Sequence, residues 1–163
     1  MKNILIIGGT GFIGNYLVKF FSSKKNFNTD VIGKNKKDFF LNFNLSNTKL
    51  LSNIDITNKK TLSSINKEYD YIIFCAGYVD HSSILNINNN TIHEHYLGLI
   101  NILKSTSLKK LKRIIYFGTL DEYSITNDLK DKNKISIKSY YSLSKNNSLE
   151  FLKLFSNIDI GGW

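Results

Sequence analysis

Three glycines, Gly8, Gly11 and Gly14, stand in the stretch "GGTGFIG" with the spacing G-x-x-G-x-x-G. Ten glycines spread over 163 residues would produce this triple by chance only about 0.04 times. The motif follows a short apolar run, "NILII" (3–7), and opens a longer one with helical spacing, "FIGNYLVKFF" (12–21). It therefore predicts a strand that turns tightly into a helix. Gly8 lets the chain leave the strand, Gly11 lets backbone approach a pyrophosphate, and Gly14 lets the helix sit close to the sheet. The free N–H groups and positive dipole end of that helix complete a phosphate cradle. Thr10, Phe12 and Ile13, between the glycines, join them as candidate binding residues. A ligand-free strand-to-helix turn is the rival reading and ranks below binding.

Further strand-like and helical runs alternate along the chain: "DVIG" (30–33), "LLSNIDI" (50–56), "DYIIFCAG" (70–77), "IHEHYLGLINILKS" (92–105), "RIIYFG" (113–118) and "YYSLSKNNSLEFLKLF" (140–155). This order predicts an α/β fold with a doubly wound parallel sheet covered by helices on both faces. "NILII", "YIIF" and "RIIYF" are continuously apolar, as strands buried on both faces should be. The helical stripe Phe12, Ile13, Tyr16, Leu17, Phe20 and Phe21 is expected to pack on the sheet. The Asn-rich segment 34–49 reads as loop. A length of 163 residues with 13% aromatics suits one domain, and no repeat or linker interrupts it.

The net charge is +9, yet Arg113 is the sole arginine and the lysines are scattered. Without arginine forks or a nucleic-acid module, nucleic acid is not an expected partner. Cys75 is the only cysteine, which excludes an internal disulfide, and no Cys/His cluster has structural-zinc spacing, so no metal site is expected. The opening "MKNILIIGG" is too short in its apolar run for a signal peptide, and no later run approaches a membrane span. A reducing, cytoplasmic setting is the expectation.

With these residues in place the chain resembles the extended short-chain dehydrogenase/reductase family, the NAD-dependent epimerases, dehydratases and reductases of nucleotide sugars. The resemblance runs from Met1 to about Phe155 and implies a Rossmann-type sheet. Asp55-Ile56 in "NIDITN" is similar to the pair that contacts adenine. Ala76, Gly77 and Tyr78 in "FCAGY" resemble the segment lying along the cofactor, and Gly98 and Asn101 in "YLGLINIL" match a family helix. Thr119 and Tyr123 in "YFGTLDEYS" stand where the family places its catalytic Ser or Thr and a later Tyr. Last comes "YSLSK", with Tyr141 and Lys145. Nine Tyr and 21 Lys would give about one accidental Tyr-x-x-x-Lys. This one is the only match and stands in the family's position.

Residues four apart share a helix face, so the Lys145 ammonium can lie beside the Tyr141 phenol and favour its ionised form. The resemblance then implies hydride transfer between a nicotinamide and a sugar carbon. Thr119 would hold the substrate oxygen, Tyr141 would exchange the proton, and Lys145 would also hold the nicotinamide ribose. At the end of the second strand "VIGKNKKD" offers Lys34, Lys36 and Lys37 before Asp38, which favours NADP over NAD. In "TLDEY" Leu120 separates Thr119 from Asp121 and Glu122, one position late for a 4,6-dehydratase, so a reductase or epimerase is expected. His95 stands where the family commonly has Asn and reads as a local substitution; His81 and His93 have no ligand set around them.

The sequence closes on "FSNIDIGGW", at or just inside the sixth strand that the resemblance implies. The expectation is one domain over 1–163 without the family's C-terminal substrate domain. A minimal enzyme, a truncated non-catalytic NAD(P)-binding or dimerisation module, and a module completed by a partner all remain open. Family members pair through the helices of Gly98 and Tyr141, so a homodimer is expected, with Leu97, Ile100, Leu103, Leu149, Leu152 and Phe155 serving either that face or the core.

Overall fold

The computed structural model describes residues 1–34, 45–65, 67–79, 90–119 and 139–156. Five parallel strands stand in the order β3-β2-β1-β4-β5: β1 (Lys2–Ile7), β2 (Phe27–Ile32), β3 (Thr48–Leu51), β4 (Tyr71–Phe74) and β5 (Arg113–Tyr116). The chain winds outward from β1 in one direction through β2 and β3, then returns to lay β4 and β5 on the other side. Right-handed crossovers therefore place α1 (Phe12–Ser22) on one face, and α2 (Gly98–Ser105) and α3 (Tyr140–Ser156) on the other. The direction reverses between β1 and β4, and a crevice opens there above the strand ends.

Alternation along β1 builds two cores from one strand. Ile4 and Ile6 pack with Val31, Ile73 and Val18 of α1. Leu5 and Ile7 pack with Ile72, Phe74, Leu99 and Ile102 beneath α2, and Phe151 and Leu152 of α3 close that cluster from the side. The apolar runs of β1 and β4 are thus buried on both faces, as expected.

Three expectations are corrected. On α1 the sheet is met by Gly14, Leu17, Val18 and Phe21, whereas Phe12, Ile13, Tyr16 and Phe20 are exposed, Phe12 at 83%. Both stripes obey helical spacing, and Gly14 decides between them. A Cβ there would lie 2.2 Å from the Gly8 carbonyl oxygen, so only a bare Cα can take the closest position, and the faces opposite it turn to solvent. On β5, Ile115 is 45% exposed; β5 is the outermost described strand, and α1 covers β1 and β2 instead. The strand expected over 50–56 is β3 at Thr48–Leu51, ended by a turn in which Asn53 takes a φ of 62°. Most of the 34–49 loop and the closing 157–163 lie outside the described residues. Among the dimer-face candidates, Leu103 is core while Leu97 is exposed.

The seat at Gly14 carries a prediction. Gly14→Ala should cost about 2 kcal/mol of stability through overpacking against backbone, whereas Tyr16→Lys on the open face should stay within about 0.5 kcal/mol. Urea unfolding of the two variants checks both values.

Candidate functional site

The crevice at the β1/β4 switch is a cleft of about 320 Å³ lined by Gly8, Thr10, Gly11, Gly33, Lys34, Asp55, Ile56, Cys75, Ala76, Gly77, Tyr78 and Glu94, among others. Residues picked from four separate stretches of sequence thus meet in one place. Gly8 turns the chain with a φ of 81°, and a Cβ on it would strike the backbone of Ala76 at 2.6 Å. The first turn of α1 carries no side-chain cap and no acidic residue, so its amide donors are left for an anionic ligand. The Phe12 and Ile13 side chains face solvent, so only their backbone could serve such a ligand.

The Asp55-Ile56 wall is held from behind. Asn101 Nδ2 donates to the Ile56 carbonyl at 3.0 Å, and Gly98 leaves room for the Ile56 side chain, whose Cδ1 would lie 2.8 Å from a Cβ there. The two residues singled out in the family helix therefore position the Asp55-Ile56 loop. Asp55 Oδ1 accepts from the Thr57 amide and hydroxyl at 2.9 and 2.8 Å, and these bonds hold its carboxyl below the usual carboxylate range, with the Lys34 charge adding to the effect.

Behind the cleft, Tyr141 and Lys145 are both buried on the first turns of α3. Lys145 Nζ donates to the Phe117 carbonyl at 2.9 Å. It lies over the Tyr116 ring at 4.8 Å and the Tyr141 ring at 5.9 Å from their centroids. The bond to Phe117 brings the end of β5, with partly buried Thr119 two residues on, beside α3. Cys75 links the pair to the cleft: burial pushes its thiol up to about 11, and the nearby Lys145 charge opposes that rise. Leu120 through Tyr123, Lys36 to Asp38, and His81 lie outside the described residues.

His95, read from sequence as a local substitution, is a buried residue. A π-helical turn, His93–Leu97, precedes α2 and carries His95 into the interior, 1% exposed. Its ring meets Tyr141 edge-on with centroids 5.4 Å apart. Ser144 Oγ donates to the Tyr141 carbonyl at 2.8 Å, so its 2.7 Å bond to His95 Nδ1 takes the proton from the imidazole. Nε2 then holds a lone pair and has no hydrogen-bond partner among the described residues. It presses on Gly77, where a Cβ would lie only 1.7 Å away. Gly77 has a φ of 142°, which glycine alone adopts readily.

Comparison with known proteins agrees with this geometry. The profile of the NAD dependent epimerase/dehydratase family matches residues 4–156. The chain belongs to that family. A dTDP-D-glucose 4,6-dehydratase of Dictyostelium discoideum is 30% identical across 89% of this chain and 38% of its own length. The UDP-Glc/GlcNAc 4-epimerase of Campylobacter jejuni superposes with a TM-score of 0.78 at 18% identity, over 98% of this chain and 51% of that one. The Bordetella bronchiseptica enzyme WbmH, solved with NAD+, gives 0.72 at 17% identity, over 94% and 52%. The chain thus spans about half the length of these solved family structures and less of the curated relative. Among the described residues no cluster of His, Cys, Asp or Glu could hold a metal ion, and no helix is long and apolar enough to cross a membrane.

Family spacing pointed to Gly98, Asn101, Tyr141 and Lys145, but two neighbours in the site carried no sequence signal. Ser144 matters only because His95 reaches it, and Glu94 enters the cleft wall from 60 residues beyond Lys34.

Burial holds His95 down at about 3 from its ordinary 6.5, and the Lys145 charge adds to this. Above pH 6.5 the imidazole is neutral folded or unfolded. As pH falls below 6.5 only the unfolded chain takes the proton, so stability is lost progressively toward pH 3. Between pH 7 and pH 5 this group alone should remove about 2 kcal/mol. Urea unfolding of wild type and His95→Asn at both pH values should show the variant losing less by that margin.

Proposed function

We propose that this chain forms the dinucleotide-binding part of an NAD- or NADP-dependent enzyme that reduces or epimerises a nucleotide sugar. The observation that carries the reading is the convergence of the glycine turn, the Asp55-Ile56 loop and Ala76-Gly77 on one cleft, with a buried Tyr141–Lys145 pair directly behind it. The cleft suits a dinucleotide on its own features. Glycine positions that a Cβ would fill with clashes bring bare backbone to the lining, and the uncapped start of α1 supplies donors for a pyrophosphate.

When bound, the nicotinamide supplies hydride acceptance and donation. This chain's residues do the rest. Gly8, Thr10, Gly11 and Gly14, with the Phe12 and Ile13 backbone, hold the phosphates; Asp55 and Ile56 bound the adenine; Ala76, Gly77 and Tyr78 lie along the dinucleotide. Tyr141 Oη exchanges the proton of the substrate hydroxyl, and Lys145 stabilises negative charge on that oxygen while holding the nicotinamide ribose. Thr119, at the end of the segment that Lys145 ties down through Phe117, orients the substrate oxygen.

Dehydratase chemistry fits less well. The relative in Dictyostelium discoideum is named a 4,6-dehydratase, but here Leu120 displaces Asp121 and Glu122 from the place after Thr119. The rival reading is a non-catalytic NAD(P)-binding or dimerisation module. One variant separates the two. Wild type should quench saturably on titration with NADH or NADPH, and Tyr141→Phe should keep that affinity within about threefold while turnover on UDP- and dTDP-hexoses falls at least about 100-fold. Binding without turnover in wild type would leave the module; absence of binding by folded protein would sink both readings.

A further inference from the structure

Recognition of the adenosine ribose normally falls to a residue at the end of the second strand, where a carboxylate accepts the free 2′-hydroxyl and a basic side chain welcomes a 2′-phosphate. Lys34 holds that place here, just after Gly33. It does not stand alone. Its ammonium is ion-paired with Glu94 of the π-helical turn, a contact spanning 60 residues. Glu94 is the more enclosed partner, its side chain 16% exposed against 74% for Lys34, and both line the cleft beside Gly33, Asp55 and Ile56. The Glu94 amide is itself anchored, donating to the Asn90 carbonyl at 2.9 Å.

Charge decides what this corner accepts. Lys34 also acts on the Asp55 carboxyl, so among the described residues one ammonium faces two carboxylates. Asp55 Oδ1 is already engaged by Thr57, whereas Glu94 Oε1 meets an exposed, flexible lysine. A doubly charged 2′-phosphate brought here would have to displace Glu94 from Lys34 and then lie against it, a like-charge juxtaposition that costs several kcal/mol. A ribose hydroxyl can donate to the same carboxylate while Lys34 stays in place.

We infer that Glu94 is the specificity-determining residue for the dinucleotide, performing from the π-helical turn the task that a strand-end acid performs elsewhere. Lys34 is its orienting partner. The inference rests on the dinucleotide reading of the cleft and reverses the preference for NADP that the lysines of "VIGKNKKD" suggested. Nothing in the spacing of the sequence connects the two residues; only the fold does.

Fluorescence titrations with NADH and NADPH at physiological salt test it in wild type, Glu94→Gln and Glu94→Asp, each checked for folding by circular dichroism. Wild type should bind NADH at least about tenfold more tightly than NADPH. Glu94→Gln should shrink that ratio about tenfold, by weakening NADH and strengthening NADPH together, while Glu94→Asp, which keeps the charge, should retain a preference for NADH. Tighter NADPH binding in wild type, or a ratio unmoved in Glu94→Gln, would overturn the role of Glu94 and leave the dinucleotide site standing. Failure of folded wild type to bind either nucleotide would remove the site itself, and the inference with it.

Discussion

The carbonyl oxygen of Gly8 occupies the space where a side chain on Gly14 would begin, and this single close contact fixes how the first helix meets the sheet. Because α1 is drawn against the end of β1, its uncapped amides open into the β1/β4 crevice. The same turn presses Gly8 onto Ala76, so the segment after β4 is placed by β1 as well as by its own strand. Dispersion and burial then act on a geometry already set by backbone contact, which is the order of causes expected where small residues let main chains approach.

Around that contact the site is assembled from buried polar groups that bond to main-chain carbonyls. Lys145 binds the Phe117 carbonyl, Asn101 the Ile56 carbonyl, and Ser144 the Tyr141 carbonyl while accepting from His95. The first two bonds tie one helix to the next segment at an atom that cannot mutate away, and the His95–Ser144 bond joins the π-helical turn to α3. A buried ammonium is costly in an apolar setting; a carbonyl and two aromatic faces replace part of the hydration that Lys145 gives up. Among the described residues His95 Nε2 has no hydrogen-bond partner, while the ring packs edge-on against Tyr141.

The order of strands and helices was legible because each rests on local pattern; Gly8 and Gly11 were legible because backbone chemistry restricts what can stand there, and Asp55, Ala76 and Gly77 were legible through the family resemblance. The packing face of α1 was not. Its two apolar stripes are equivalent in periodicity, and the distinction lies in a contact between Gly14 and a residue of another element. Exposure of Ile115 likewise depends on which strands and helices flank β5, which no reading of "RIIYF" could supply. Glu94 and His95 escaped for a third reason: the π-helical turn shifts the phase of the helix, so an adjacent pair of residues serves two separate places, one the cleft rim and one the interior beside Tyr141.

The interlock of His95 with Gly77 bears on how such a sequence can drift. Nε2 lies within 1.7 Å of where a Cβ on Gly77 would start, so the two positions share one volume and a side chain at 77 requires a change at 95. A lineage that acquires any side chain at 77 must first have shortened the residue at 95, and one that carries an imidazole at 95 has closed off every alternative at 77. The path through sequence space is therefore ordered: the interior of the π-helical turn has to yield before the cleft lining can be redrawn.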